Sequence, residues 1–475
     1  MNTISTSNPI NQFDDILAAQ RAAFLRDGPP TLSRRRADLK KLRAVILARR
    51  NEIEAAVNAD FGHRSRHETA IMDVVSVILG IDYLHRNLRR FMRPKRRHVA
   101  MPFRFGSAWI EYQPLGVIGI VAPWNYPVSL ALTPLATAVA AGNRVMIKPC
   151  EFTPATSDLL AAMLADTFPK DQVAVVTGDA AVGAAFSTLA FDHLLFTGST
   201  PVGRAVMRAA SENLVPVTLE LGGKSPVIVQ KGYSLDYAAA GIAYGKLANA
   251  GQTCIAPDYL MVHTDDVAPF VAAYDKAVAS LYPNGPASDD YTSILNGRHY
   301  ARLNELLGDA RSKGARVVES GPKPSDANSR PHTLAPTIVL GATDEMRIMQ
   351  EEIFGPVLPI LTYRESEEVI DYVNARPRPL ALYYFGENGE DRRKVLTRTT
   401  SGNVTINGTL MHYAQDDLPF GGVGPSGMGA YHGIEGFRAF SHGKGVFDQG
   451  RWNASKLLRA PFGQLADRIL GLMLR

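Results

Sequence analysis

Between residues 117 and 223 the chain alternates short apolar runs with longer amphipathic ones, and few folds accept that pattern. "VIGIVAP" (117–123), "RVMIKP" (144–149), "QVAVVTG" (172–178), "HLLFTGS" (193–199) and "VPVTLELGG" (215–223) read as strands. "VSLALTPLATAVAAG" (128–142), "ATSDLLAAMLADTF" (155–168) and "PVGRAVMRAASENL" (201–214) read as the helices between them. Strands joined through helices pair in parallel, and strands this apolar need cover on both faces. The expectation is an α/β fold: a parallel sheet, right-handed crossovers and helices on each side. A second block starts near Ser225. "SPVIVQ", "YLMVHTD" (259–265), "ARVVES" (315–320), "PTIVLG" (336–341), "VLPILTY" (357–363) and "GNVTING" read as strands, with helices over 234–252, 366–375 and 389–399. A chain of 475 residues is too long for one simple core, so two Rossmann-like lobes are expected.

Residues 13–60 and 66–92 read as amphipathic helices ahead of the first sheet. Leu39, Leu42, Val45, Ile46 and Ile53 recur at helical spacing and leave the charges of "RRRADLKKLRAVILARR" (34–50) facing solvent. "HRNLRRFMRPKRRH" (85–98) is the second basic run. Neither run interleaves aromatic residues as a single-strand binder does, so the net charge of +5 is read as solvated surface, with no nucleic-acid partner. "FRFGSAWIEYQPLG" (103–116) alternates and ends in turn residues, which suggests a hairpin or an extended arm. Two cysteines cannot build a disulfide framework, so a reducing compartment, the cytoplasm, is expected. The N-terminus does not read as a secretory leader, and no apolar run approaches the roughly 20 residues of a membrane span.

Five short stretches carry chemistry. "GQTCIAP" puts Cys254 in a polar turn after a predicted helix. A thiol there is either structural or, with a base nearby, a nucleophile. "LELGGK" ends a strand with Glu220 in front of Gly222, where a carboxylate is a solvated charge or a general base for water. "APWNYP" restrains Asn125 between two prolines, to cap the next helix or to offer its amide to an oxyanion. "MIKPCEF" places Lys148 and Glu151 just past a strand, suited to ribose hydroxyls. "FTGSTPVG" holds Gly198 and Gly203 at a strand-to-helix turn, where helix N-termini meet phosphates, although Thr200 occupies the second glycine position of a standard dinucleotide fingerprint. No metal site is expected.

Each stretch alone is weak; their order is specific. With "EEIFGP" following at 351–356, the chain resembles the NAD(P)-dependent aldehyde dehydrogenase superfamily from about residue 12 to 450, and Glu220 and Cys254 stand 34 positions apart, the family's usual separation. "GQTCIAPDY", "QEEIFGPVLPI" and "LPFGGVGPSGMGAYHG" look like its class 3 branch; "DHLLFTGSTPVGR" and "TLMHYAQDDLPFGGVG" look most like the bacterial coniferyl aldehyde dehydrogenases within it.

The resemblance implies that Cys254 attacks an aldehyde, that Asn125 and the Cys254 N–H hold the oxyanion, and that Glu220 activates water against the thioester. It implies that Lys148 and Glu151 bind the adenosine ribose, that Thr197, Gly198 and Ser199, with Gly203 and Gly222, form the turns around the dinucleotide, and that Glu352 and Phe354 contact the nicotinamide ribose. A carboxylate at Glu151 favours NAD, with NADP allowed. Thr200 in the turn implies a loosely held pyrophosphate and a nicotinamide free to swing away. Tyr126, Tyr244 and Phe420 are the expected pocket walls, with His412 at the mouth. They suit a flat cinnamyl-type aldehyde or a medium-chain aliphatic one.

On the same resemblance, residues 1–102 and 117–221 form the dinucleotide-binding domain and 222–406 the catalytic domain. Residues 103–116 and 407–445 form the oligomerisation arm of a homodimer, and 446–475 an amphipathic tail. That tail, "PFGQLADRILGLMLR", packs on a partner subunit or lies on a membrane surface, the former being favoured. Two rivals remain: a CoA-acylating relative, which Glu220 argues against, and a non-catalytic binding protein on the same scaffold, which an intact Cys254, Asn125 and Glu220 argue against.

Overall fold

The computed structural model of the chain describes residues 9–323, 330–387, 389–451 and 459–474. Its first sheet runs Val217–Leu221, His193–Gly198, Val117–Val121, Arg144–Lys148 and Val173–Val175 in spatial order, all parallel, with Gly427–Met428 added antiparallel beside Val217–Leu221. Strand order reverses beside Val117–Val121, whose neighbours are His193–Gly198 on one side and Arg144–Lys148 on the other. A crevice opens at the carboxyl ends of the strands at such a switch point. The helix Ser129–Ala141 is buried along nearly its whole length and ends at Gly142, at φ 95°. That left-handed C-cap is the job glycine does there.

The second sheet orders Arg316–Glu319, Thr337–Leu340, Val357–Tyr363, Tyr259–His263, Pro226–Val229, Ala381–Phe385 and Asn403–Ile406. Only Arg316–Glu319 is antiparallel. The α/β expectation of two parallel-sheet lobes is borne out. The helix expected over 234–252 is shorter: it spans Leu235–Leu247 and then breaks. That break builds the site.

A third sheet projects as an antiparallel arm. Ser107–Pro114 is its middle strand, between Lys95–Arg97 and Ser441–Asp448. The sequence reading holds no strand at 441–448, because Gly443 and Gly445 interrupt the alternation. The segment 407–430, expected in the arm, lies instead against the catalytic end of the molecule, where Leu410, Met411 and Tyr413 line a cavity. At the C-terminal end, Gln464–Met473 is a helix with Ala466 buried and Leu465, Leu472 and Met473 exposed. No helix among the described residues is long and apolar enough to cross a membrane.

Candidate active site

The nucleophile candidate sits on a turn that the rest of the molecule dictates. After Leu247 the backbone leaves the helix through Asn249 (φ 51°), Ala250 (φ 50°) and Gly251 (φ 75°), three left-handed residues in a row. For the two non-glycines this costs about 1–3 kcal/mol each and persists only when the surroundings hold it. They do. Glu68 Oε1 accepts the Asn249 N–H at 3.0 Å. Gln252 Nε2 donates to the carbonyls of Asn249 (3.0 Å) and Ser293 (3.1 Å), and its Oε1 accepts the Leu295 N–H at 2.9 Å. A Cβ on Gly251 would lie 2.3 Å from the Gly355 carbonyl oxygen. Cys254 follows directly, half-buried and unpaired.

Asn125 comes to the same place from the end of Val117–Val121. Its side chain donates Nδ2–H to the Gln252 carbonyl at 3.1 Å, so the amide already faces the turn that carries Cys254. Its own carbonyl accepts from Arg64 Nη1 at 2.7 Å and Asn249 Nδ2 at 2.9 Å. Arg64 is paired with Asp73 at 3.0 Å, and neither side chain reaches solvent. Asp73 Oδ1 in turn accepts the N–H groups of Val128 (3.2 Å) and Ser129 (2.9 Å) at the start of Ser129–Ala141. One buried ion pair thus ties the Asn125 turn to the helix behind it.

Glu220 ends Val217–Leu221 and is buried, and neither carboxylate oxygen has a hydrogen-bond partner among the described residues. Burial pushes its pKa well up. Glu352 is pushed up to about 8 by burial and by the charge of Asp258, with the Gly223 N–H working the other way. Burial raises the Cys254 thiol to about 12, and the nearby Glu352 and Glu220 add to the shift. A poorly solvated pocket holding two carboxyls and one thiol favours their neutral forms at rest.

At the carboxyl ends of the first sheet stand the residues expected to hold a dinucleotide. Lys148 Nζ meets Glu151 Oε2 at 2.7 Å at the end of Arg144–Lys148. Ser199 makes no side-chain cap to the helix Thr200–Ser211, so that N-terminus keeps its amides for an anion. Gly198 and Gly203 pack where a Cβ would come 2.6 Å from the Phe196 ring and from Leu221. At Gly222 a Cβ would lie 2.0 Å from Glu352 Oε2, so only glycine admits that carboxylate. Thr197 pairs with Glu220 across the sheet. Phe354 (φ 54°) meets Trp124 edge-on at 5.3 Å. Among the described residues no cluster of three metal-ligating side chains occurs.

On the other side of Cys254 lies an apolar cavity of about 220 Å³. Tyr126 and Tyr244 line it, as the sequence suggests. His412 and Phe420 do not. His412 is buried rather than at the mouth: its Nδ1 meets Thr405 Oγ1 at 2.7 Å and its ring stacks on Phe420 at 6.0 Å, behind the wall. The wall itself is made by residues that the sequence reading missed: Ile71, Met72, Leu410, Met411, Tyr413 and His432. Ile71 and Met72 belong to Thr69–Val75, a single stretch of π-helix. Such a widened turn re-aims side chains and recurs at functional sites.

The aldehyde dehydrogenase family profile matches residues 5–446. The chain is 50% identical over 97% of its length to a protein of Pseudomonas aeruginosa described as "Probable coniferyl aldehyde dehydrogenase", covering 96% of that protein. It is 46% identical over 98% of its length to the coniferyl aldehyde dehydrogenase of a Pseudomonas species, again covering 96% of the relative. The substrate-bound structure of Staphylococcus aureus AldH superposes with a TM-score of 0.90 at 35% identity, over 98% of this chain and 99% of that one. The chain belongs to the aldehyde dehydrogenase family.

Proposed function

We propose that this enzyme oxidises an aromatic, coniferaldehyde-like aldehyde to its carboxylic acid with NAD, or with NADP, through a cysteine thioester. The observation that carries the reading is the convergence of Cys254, the Asn125 amide and the buried, unpartnered Glu220 beside an apolar cavity, at the carboxyl ends of the first sheet. The Cys254 sulfur, once deprotonated, adds to the carbonyl carbon. Asn125 Nδ2 and the Cys254 N–H bond the oxyanion that forms. A dinucleotide held by the residues at the ends of the first sheet would supply the hydride acceptor. Glu220, once ionised a stronger base than an exposed carboxylate because it is buried, takes a proton from water, which attacks the thioester and frees the acid and the thiolate. Lys148 and Glu151 hold the adenosine ribose; Thr197, Gly198, Ser199 and Glu352 place the nicotinamide half. The sheet built on Val117–Val121 binds the dinucleotide, and the sheet built on Tyr259–His263 carries the nucleophile.

A second copy pairs with this chain through the arm, whose outer strand Ser441–Asp448 has one edge unpaired among the described residues. A medium-chain aliphatic substrate is a second reading, favoured by Ile71, Val75 and Leu79, which extend the apolar wall out to solvent. The deciding experiment is dinucleotide reduction followed at 340 nm with coniferaldehyde, benzaldehyde, hexanal and decanal. Cys254→Ala is expected to abolish turnover. Glu220→Gln is expected to give one burst and no steady rate. Wild-type protein that turns over none of the four with either dinucleotide would overturn the proposal.

A further inference from the structure

The cavity that ends at Cys254 is apolar over most of its wall, with one marked exception. His432 is only 6% exposed and lines it, yet neither Nδ1 nor Nε2 has a hydrogen-bond partner among the described residues. The ring is held by its neighbours: Phe420 stacks on it at 5.2 Å, and Tyr413 and Tyr431 meet it edge-on at 4.9 and 4.6 Å. A buried polar group without a partner is costly, and native structures keep one mainly where a ligand or water completes it. Other polar atoms share the wall. Ser76 Oγ and the Tyr413 hydroxyl each lie 3.3 Å from Ser129 Oγ, and all three residues line the cavity.

We propose that His432 sets substrate choice by hydrogen-bonding an oxygen substituent, a phenolic hydroxyl, on the ring of an aromatic aldehyde whose carbonyl sits at Cys254. This rests on the oxidising reading above and names the part of the substrate that the cavity recognises. Burial, with His412 beside it, lowers the imidazole to about 3, so the ring is neutral at any working pH. A neutral imidazole offers one N–H donor and one lone-pair nitrogen. A phenol can meet either. A methyl ether can only accept, and an unsubstituted ring or an alkyl chain offers neither. A site built around a polar group penalises the analogue that leaves it unpaired more than an apolar pocket penalises a missing methylene.

The test is a substrate series on the whole enzyme: 4-hydroxy-, 4-methoxy- and unsubstituted cinnamaldehyde, with hexanal beside them. Wild type is expected to prefer the 4-hydroxy compound over the unsubstituted one by about tenfold or more in kcat/KM, with the methoxy compound between. His432→Phe is expected to collapse that ratio toward one, and His432→Gln, which keeps a donor and an acceptor, to restore part of it. A flat wild-type series, or a His432→Phe enzyme that loses all four substrates by one common factor, would overturn the proposal. If the phenylalanine variant fails to fold, the wild-type series and the glutamine variant decide. Titration calorimetry with 4-hydroxycinnamyl alcohol and cinnamyl alcohol, which cannot react with the thiol, separates recognition from turnover. Equal affinities would sink the role of His432 even in an active enzyme. A tenfold preference in an enzyme without turnover would keep it while removing the oxidising reading.

Discussion

The two flanks of Cys254 are built on opposite principles. On the crevice side the side chains are polar and tightly placed: the buried Glu220 and Lys148, the half-buried Glu352 and Glu151, and glycines where any Cβ would collide. On the cavity side the wall is apolar and open to solvent through Ile71, Val75 and Leu79. On the proposed function, the first flank performs chemistry common to any aldehyde and the second decides which aldehyde arrives. Substitutions on the crevice flank should therefore act on all substrates alike, whereas those on the cavity flank should change their ranking.

The sharpest test lies where the flanks are joined. Asp73 and Arg64 are a fully buried pair, and Arg64 holds the Asn125 carbonyl while its guanidinium lies 4.9 Å from the Tyr126 ring centroid. Asp73→Ala strands a buried cation, which costs about 3–5 kcal/mol. The urea midpoint should drop accordingly, and what activity remains should fall for every aldehyde. A loss below about 1 kcal/mol would mean that water reaches Arg64 and that the junction is not rigid. Next comes Asn125→Ala. If Asn125 holds the oxyanion as proposed, its removal should lower kcat by about 10²–10³. The factor should be the same for benzaldehyde and hexanal, and a factor that differs between them would break the division of labour.

Glu352 makes the crevice flank visible in a pH titration. Burial and Asp258 lift its folded pKa to about 8, from an ordinary value of 4.5. Between those two values the unfolded chain has released a proton that the folded chain still holds. The folded state binds more protons there, so its stability falls as pH rises across the window. Wild-type Tm should decline from pH 5 to pH 8 by more than that of Glu352→Gln, in which the group no longer titrates. Parallel Tm curves for the two proteins would mean that solvent holds the Glu352 pKa near its ordinary value.

How much of each flank was legible in the sequence follows from the same contrast. The crevice is made at the ends of strands, and the chain writes each strand end as one contiguous word. "PWN", "KPCE", "FTGS" and "ELGG" each set a polar residue at or just past the end of an apolar run, and "EEIF" sets two carboxyls just after the short helix Arg347–Gln350. The cavity is written in scattered single letters. Ile71 and Met72, Tyr126, Tyr244, Leu410 and Met411, Tyr413 and His432 come from segments far apart, and none differs locally from a core residue. His432 and His412 illustrate the difficulty. Both are buried beside Phe420, and only the packing of 407–430 decides that His432 reaches the cavity while His412 bonds Thr405 behind it. The left-handed run at 249–251 was hidden for another reason: Asn249 and Ala250 are ordinary helix residues, held out of the helix by Glu68 from a distant segment and by the adjacent Gln252, itself tied to Ser293 and Leu295.

The smallest expected effect tests the cavity flank by itself. Tyr244 lies on the wall, 38% exposed, in the helix Leu235–Leu247. Truncating it removes part of an apolar contact and leaves the turn after Leu247 anchored by Glu68 and Gln252. Partial burial of a ring face contributes about 1 kcal/mol to binding, roughly fivefold in KM. Tyr244→Ala should therefore raise KM about fivefold for decanal and coniferaldehyde, which are long enough to reach the ring. Acetaldehyde, which occupies only the space next to Cys254, should respond much less. Because the ring touches neither Asn125 nor Glu220 through any hydrogen bond described here, kcat should move less than KM for all three. A matched fall in kcat would mean that the cavity wall also shapes the turn at Cys254, and the two flanks would then be one unit rather than two.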